Sequence, residues 1–274
     1  MLVVAACSGD TAWKTRIPLA TERVTSEGLI EVTQLGIDPL ARVPKARFHA
    51  SFTTTTLPAG VAPDCVETLE GACVTRYCEL PLPDAGARDS GVVRHSAGRI
   101  DFAAATLDGG IIGFVSTTAA TQEFYLMRPV AEPDLWVFST VGDVVPAIDR
   151  ASLFTMAPIE VISPTCNEKN ECDDLRLDRD LKVEWADGGT GKVQVTLETR
   201  TTGTEFITTL SVACTSLALD HTALVPKSIL HRFEASTGTL SIEAGRTTRV
   251  SAGRYPVMFK SHVPAISGTV KFVP

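Results

Sequence analysis

The sequence predicts an all-β protein built from two β-sandwich domains. Short runs with alternating apolar and polar residues recur along the chain, which is the period of a half-buried strand. Gly, Pro, Asn and Asp interrupt these runs at short intervals, as turns between strands require. No segment carries the longer period of an extended amphipathic helix. Together these patterns favour sheets over helices.

Length, composition and charge limit the classes of protein to which the chain can belong. With 274 residues the chain is long enough for about two domains, and 44% apolar with 21% charged residues is close to a globular average. A net charge of -7 argues against nucleic acid as a partner, because binding to the phosphate backbone needs a basic surface. No run of about 18 apolar residues is available for a membrane-spanning helix.

The N-terminus is typical of a bacterial lipoprotein signal. The chain opens with a short apolar run and two small residues, followed by Cys7 and then by Ser8 and Gly9. Residues 1–7 are therefore interpreted as the remnant of a signal ending at a lipidated Cys7, although a basic region before the apolar run is lacking. The alternative is a first strand with a buried thiol. Residues 8–26 are polar and predict a tether.

The first domain is assigned to residues 27–157. Alternating strands are predicted at 30–33, 47–54 and 99–102, and nearly continuous apolar strands at 110–115, 123–127 and 135–138. Residues 58–91 combine three cysteines with many Pro and Gly residues, so they predict a disulfide-pinned loop region. Residues 149–156, bracketed by two Pro-containing dipeptides, predict a helical turn.

The second domain is assigned to residues 158–274. It opens with a Pro-bracketed edge strand and continues with a Trp-bearing strand at 181–185. A Gly-rich turn at 188–191 predicts a hairpin to a strand at 192–199. Further strands are expected at 205–213, 239–243, 247–251, 255–260 and 268–273. About seven strands in a segment of this size predict an immunoglobulin-like or fibronectin-like sandwich.

Cysteine usage indicates an oxidising compartment. Removing the acylated Cys7 leaves an even set of six candidates for disulfides: Cys65, Cys73, Cys78, Cys166, Cys172 and Cys214. We expect Cys166 to pair with Cys172 and one pair to form within the first three. The remaining member of those three pairs with Cys214 or is free. A zinc site is the alternative, but the chain has no Cys-x-x-Cys pair.

An acidic stretch around residues 167–180 is a weak calcium candidate. Glu171, Asp173 and Asp174 supply the oxygen ligands that Ca²⁺ prefers. The spacing is not that of an EF-hand, and nearby Arg and Lys residues offset the charge. A solvated hairpin closed by Cys166 and Cys172 is the favoured alternative. No cofactor is predicted.

Catalytic motifs are sparse. No Gly-x-Ser-x-Gly occurs, and the five histidines are scattered without a metal-binding spacing. His95 and Ser96 are adjacent, so on a strand they point to opposite faces and do not meet. For sugar binding, Trp136 and Trp185 lie on core-like strands, which leaves Trp13 in the tether as the exposed aromatic.

The C-terminal half resembles a known group of lipoproteins. Leu181-Lys182-Val183-Glu184-Trp185, the segment ending at Cys214, and Leu224-Val225-Pro226 with Leu230 are similar to uncharacterised predicted lipoproteins of myxobacteria and related δ-proteobacteria. The resemblance covers about 100 residues. It implies a cell-envelope location and carries no assigned activity.

These observations predict a non-enzymatic bacterial envelope lipoprotein whose β-sandwich domains act as a protein-interaction or structural module. Its expected partners are the membrane, through the lipid on Cys7 and with the outer membrane favoured, and another envelope protein. The alternative is a carbohydrate-binding module or an envelope enzyme with its site in the N-terminal domain. A deep pocket around His95, Asp101 or the Cys65 to Cys78 segment would favour that alternative.

Overall fold

In the computed structural model of the protein, the residues described are 20–37, 44–60, 65–81, 91–105, 111–117, 123–127, 135–187, 189–204, 206–234 and 236–274. Over these residues the chain is almost entirely β-structure, which confirms the predicted all-β class. The helical segments among them are a 3-10 turn at Ala218–Asp220 and the single-turn helix α1 at Lys227–Leu230.

The strands of the described residues are, in chain order, β1 (Arg23–Ile37), β2 (Pro44–Leu57), β3 (Cys65–Glu70), β4 (Cys73–Pro81), β5 (Val92–Arg94), β6 (Ile100–Ala105), β7 (Ile111–Thr117), β8 (Glu123–Met127), β9 (Leu135–Thr140), β10 (Ile148–Phe154), β11 (Glu160–Ser163), β12 (Leu175–Arg176), β13 (Leu181–Ala186), β14 (Lys192–Thr202), β15 (Phe206–Leu217), β16 (Thr222–Val225), β17 (Thr237–Ala252) and β18 (Tyr255–Val273).

The strands form one large and two small sheets. The large sheet has the order β3-β4-β15-β14-β17-β18-β1-β2-β5, with β12 also pairing with β18 and β8 with β2. The small sheets have the orders β10-β9-β6-β7 and β11-β13-β16. Each small sheet shares a hydrophobic core with one part of the large sheet, so the layers are those of two sandwiches.

Two long strands join the sandwiches. β17 and β18 pair along nearly their whole lengths, with an irregularity between Ile242 and Glu243. The sequence predicted two short strands in each of these segments. The structure corrects this, because both strands continue through the predicted breaks, and the extra residue Ala265 of β18 is accommodated as a bulge opposite Ile242 and Glu243.

The buried apolar residues form two clusters. The Trp185 core contains Trp185, Val195, Leu240 and Phe233 together with Met156 and Cys73. The Trp136 core contains Trp136, Phe48 and Phe138 together with Tyr255 and Phe259 from β18. Each core therefore draws residues from both sides of the predicted boundary at 157/158, because β4 joins β15 and the first half of β18 joins β1.

Three further local predictions were wrong. The segment 58–91 is not wholly a loop, since it contains the β3–β4 hairpin, whose Cys73, Thr75 and Tyr77 alternate toward the core. Residues 149–156 form most of β10, because Ala151 and Leu153 alternate into the Trp136 core opposite β9. The Gly-rich turn after β13 does not make a hairpin, since β13 pairs with β11 and β16 while β14 enters the large sheet.

Candidate functional site

The six described cysteines form three disulfides. Cys166–Cys172 confirms the expected pair in the polar loop, and Cys65–Cys78 is the expected pair within the first three cysteines. Cys73 bonds to Cys214 across the neighbouring strands β4 and β15, the pairing that the sequence left open. The predicted lipidation site, Cys7, lies outside the described residues.

The calcium candidates use their oxygens within their own loop. Asp173 Oδ2 accepts hydrogen bonds from both the backbone N–H and the hydroxyl of Thr165, and Glu171 Oε2 accepts one from the Asn167 side-chain amide. Asp174 is exposed. Within the residues that the structure describes, no three His, Cys, Asp or Glu side chains are grouped so as to hold a metal ion.

The candidate active-site residues of the N-terminal domain make separate local contacts. His95 Nε2 is 3.0 Å from the hydroxyl of Thr54, and the Ser96 hydroxyl accepts a hydrogen bond from the Gly98 backbone instead of meeting His95. Asp101 forms an ion pair of 3.1 Å with Arg99. These residues do not form the joint constellation that a nucleophilic mechanism requires.

The two described tryptophans lie inside the cores. Trp136 and Trp185 are 3% and 2% exposed, and Trp185 Nε1 donates a hydrogen bond to the Ala218 carbonyl. Neither ring offers the flat exposed platform that binds sugars. Trp13 lies outside the described residues.

A cavity of about 570 Å³ lies where the two sandwiches meet. We call it the junction crevice. Its walls come from the start of β14, the middle of β17 and β18, and the ends of β10 and β15; they include Leu153, Lys192, Leu217, Glu243, Arg246 and Lys260. The crevice exists because β14 stops pairing with β17 at Gly245, which leaves space beside the continuing strand.

A compact cluster of charged groups adjoins the crevice, and two of its members, Glu243 and Lys260, line the crevice wall. Lys260 contacts the Glu243 carboxylate directly and lies 3.7 Å from the Glu31 carboxylate. His262 places Nδ1 at 3.0 Å from Glu243 Oε2 and 3.6 Å from Glu31 Oε1. Parallel pairing of β1 with β18 aligns Glu31 with Lys260 and so brings residues from opposite ends of the sequence together.

The cations of this cluster lower the pKa of Glu243. Burial of the carboxylate raises its pKa, but the hydrogen bonds and charges of His262 and Lys260 outweigh burial and bring it to about 2. Glu243 is therefore ionised throughout the physiological range. Its charge is compensated within the cluster and is not free for a ligand.

Thr33, His262 and Glu243 have the order of a hydroxyl, imidazole and carboxylate relay. Thr33 Oγ1 is 2.7 Å from His262 Nε2, and the Glu243 carboxylate lies 3.0 Å from Nδ1 on the other side of the ring. Thr33 is only 3% exposed, so its oxygen is not reachable by a substrate carbonyl in the crevice. The relay is suited to fixing β1 against β18.

Two cations of the crevice wall lack an acidic partner among the described residues. Lys192 is exposed at the start of β14. Arg246 lies with its guanidinium 5.6 Å from the centre of the Phe154 ring and donates to the Thr190 hydroxyl, while its buried Nε has no acceptor in the described part of the chain. These two residues give the crevice positive charge that is available to a ligand.

The sequence provided little indication of the charged cluster beside the crevice. Lys260 and His262 occupy alternate positions, which places both on one face of a strand. Their partners Glu31 and Glu243 belong to distant segments. Only the pairing of β1, β17 and β18 shows that the four side chains meet.

Comparisons with known proteins give no family for this chain. No family model and no curated protein matches it. One similar solved structure is the Mu homology domain of Fcho1 from Danio rerio with a bound Eps15 peptide, at 9% identity, 95% coverage of this chain and 100% of that chain. Its TM-score of 0.15 is too low to support an argument about fold or function.

Among the described residues, none of the helices has the length and apolar character needed to span a bilayer.

Proposed function

We propose that this protein is a lipid-anchored, non-enzymatic interaction module of the bacterial cell envelope, with the junction crevice as its contact surface. The observation that carries the proposal is the set of three disulfides within two β-sandwiches. Structural disulfides form and persist in secreted and periplasmic proteins and are rare in the cytosol. They support an extracytoplasmic location.

The proposed anchor is a diacylglycerol group on the Cys7 thiol and an acyl chain on its amino group. The small residues Ala5 and Ala6 before Cys7 supply the side chains that a lipoprotein signal peptidase accepts. Two lipid attachments meet the requirement for stable membrane anchoring. Ser8 after the lipidated residue favours transport to the outer membrane.

The proposed role in protein contact rests on the character of the exposed surface. The burial of Trp136 and Trp185 removes two of the three tryptophans as sugar platforms, so the carbohydrate alternative has little support. The crevice instead combines unpaired cations with the apolar residues Leu153 and Leu217. Such a mixture is typical of sites that bind segments of another protein.

Intact mass spectrometry tests the proposal. The chain is expressed in a Gram-negative host behind a complete lipoprotein signal peptide and is weighed with and without reduction. We expect an acylated mass and a gain of six hydrogens on reduction, two for each disulfide. Cys7→Ala is the matched control and should lack the acyl mass while keeping the disulfides. An unmodified Cys7 with six free thiols in the starting chain would contradict the proposal.

A further inference from the structure

We propose that the junction crevice and the adjoining free edge of β17 bind an extended acidic peptide segment of another protein, which adds to β17 as a further strand. This inference rests on the proposed function, since it specifies the chemistry of the contact surface. It follows from three features of the described residues: an unpaired strand edge, a cavity at one end of that edge, and unpaired cations beside both.

The strand edge lies in the second half of β17. β14 pairs with β17 only between Thr239 and Gly245, whereas β18 continues to pair with it as far as Ala252. From Arg246 to Ala252, β17 therefore has no strand partner on its other side among the residues described. Every second backbone N–H and C=O along this stretch points away from β18, which makes it a template for one more strand.

The side chains along this edge are exposed or partly exposed from Arg246 to Ser251. Thr247, Arg249 and Ser251 are exposed, and the residues alternating with them up to Val250 are partly exposed. β10 packs near β17 but belongs to the four-stranded sheet, where its partner is β9. Over this stretch no described strand is paired with this side of β17, so an added peptide strand would displace none.

The crevice lies at the start of the free edge. Arg246 is the first residue of β17 beyond the segment that pairs with β14, and it is also part of the crevice wall. A peptide paired with the edge would therefore place side chains into the cavity. Its volume of about 570 Å³ accommodates side chains of ordinary size. Backbone pairing would supply affinity and the cavity selectivity, as in strand addition generally.

The charges favour an acidic peptide. Lys192, Arg246 and Arg249 line the crevice or the edge, and none has an ion-pair partner in the described part of the chain. The whole chain carries a net charge of -7, so this cationic strip is a local exception. Carboxylate side chains would be drawn to it and could form charge-assisted hydrogen bonds with the guanidinium groups.

A polyuronate, a sugar chain with a carboxylate on each unit, is the alternative acidic ligand, but it has no peptide backbone. The free N–H and C=O groups of β17 alternate at the spacing of a peptide strand, which a sugar chain does not match. The observations therefore favour a peptide, and the polyuronate becomes an outcome of the test.

The test uses the oxidised full-length chain with Cys7→Ser. The probe is a terminally blocked, fluorescein-labelled peptide six residues long, in which Glu and Thr alternate. Fluorescence anisotropy should show saturable binding that weakens as salt rises, because exposed charges are screened. A matched peptide with Gln in place of Glu should bind at least tenfold more weakly.

Methylation of the peptide backbone tests strand addition without changing the protein. One peptide carries N-methyl groups on all Glu residues and another on all Thr residues. The N–H groups of the Glu residues and those of the Thr residues face opposite edges of an extended strand. Methylation of the set that faces β17 should abolish binding, and methylation of the other set should leave the affinity within twofold. A purely electrostatic contact would treat both peptides alike.

Protein variants test the cationic strip. Lys192→Gln and Arg249→Gln should each weaken peptide binding about two- to fivefold, the range for one exposed ion pair. Lys169→Gln removes the same charge from the exposed loop closed by Cys166–Cys172 and should leave binding unchanged. An unchanged thermal midpoint for each variant shows that the fold is retained.

Three outcomes would overturn the inference: no peptide binding by the folded chain, equal effects of the two methylation patterns, or tighter binding of polygalacturonate than of the peptide. The acylation experiment is independent of all three. A lipidated chain with intact disulfides that does not bind the peptide would overturn this inference alone. An unlipidated chain with free thiols would overturn the proposed function.

Discussion

The Cys73–Cys214 disulfide should contribute more to stability than any other covalent link described. Both sulfurs are buried in the Trp185 core, and the bond joins strands whose cysteines are 141 positions apart. Closing a loop of that length restricts the unfolded chain by about 5 kcal/mol at 25 °C. Cys166–Cys172 spans only 6 positions, for which the same relation predicts about 2 kcal/mol.

The perturbation is the double substitution Cys73→Ala with Cys214→Ala, compared with Cys166→Ala and Cys172→Ala. Urea unfolding followed by tryptophan fluorescence measures the free energy of unfolding, and we expect the first variant to lose about 3 kcal/mol more than the second. Since Trp185 shares a core with Cys73 and Cys214, a variant retaining only this tryptophan should report the loss directly.

Equal losses for the two variants would refute the reasoning. Such a result would mean that the unfolded chain gains no more freedom from opening the long loop than from opening the short one. A larger loss for the Cys166 and Cys172 variant would show that local strain or loop packing, and not chain entropy, determines the contribution of each disulfide.

The remaining predictions concern the charged cluster, a close strand contact and the polar loop. Because the pKa of Glu243 is lowered, its contribution to the free energy of unfolding is complete above the unfolded pKa of 4.5 and is lost as pH falls toward about 2. Glu243→Gln should therefore remove about 2 kcal/mol of acid-sensitive stability, a figure reduced for solvent screening, when unfolding is measured from pH 6 to pH 2. Gly238→Ala should destabilise the chain by about 1–3 kcal/mol, because the added methyl group would overlap a β14 carbonyl oxygen and an aromatic ring, as thermal unfolding would show. A calorimetric titration with millimolar calcium should give no binding heat, because Glu171 and Asp173 already accept hydrogen bonds within their loop.

Each of these predictions has a matched control or a contrary result. Gly189→Ala adds the same methyl group where no atom lies within 4 Å and should be nearly neutral. Acid sensitivity that persists unchanged in Glu243→Gln would assign it to other carboxylates. Saturable heat with calcium that disappears in Asp173→Asn would restore the metal site.

The sequence alone determined the all-β class, many of the strands and the Cys166–Cys172 disulfide. β13 could be predicted because Leu181, Val183 and Trp185 alternate with polar residues, and this period exists whatever the strand pairs with. Cys166 and Cys172 could be paired because six positions in a polar loop keep them close in almost any fold. The all-β class follows from the same local patterns.

Only the tertiary structure decided which strands became neighbours. The Gly-rich turn after β13 is equally compatible with a hairpin or with a crossing between sheets, and packing around Trp185 selects the crossing. Cys73 and Cys214 pair because β4 lies beside β15. Glu31 meets Lys260 because β1 runs parallel to β18. Local patterns set how a segment folds, but the burial of whole faces sets what it folds against, and the junction crevice depends on the second.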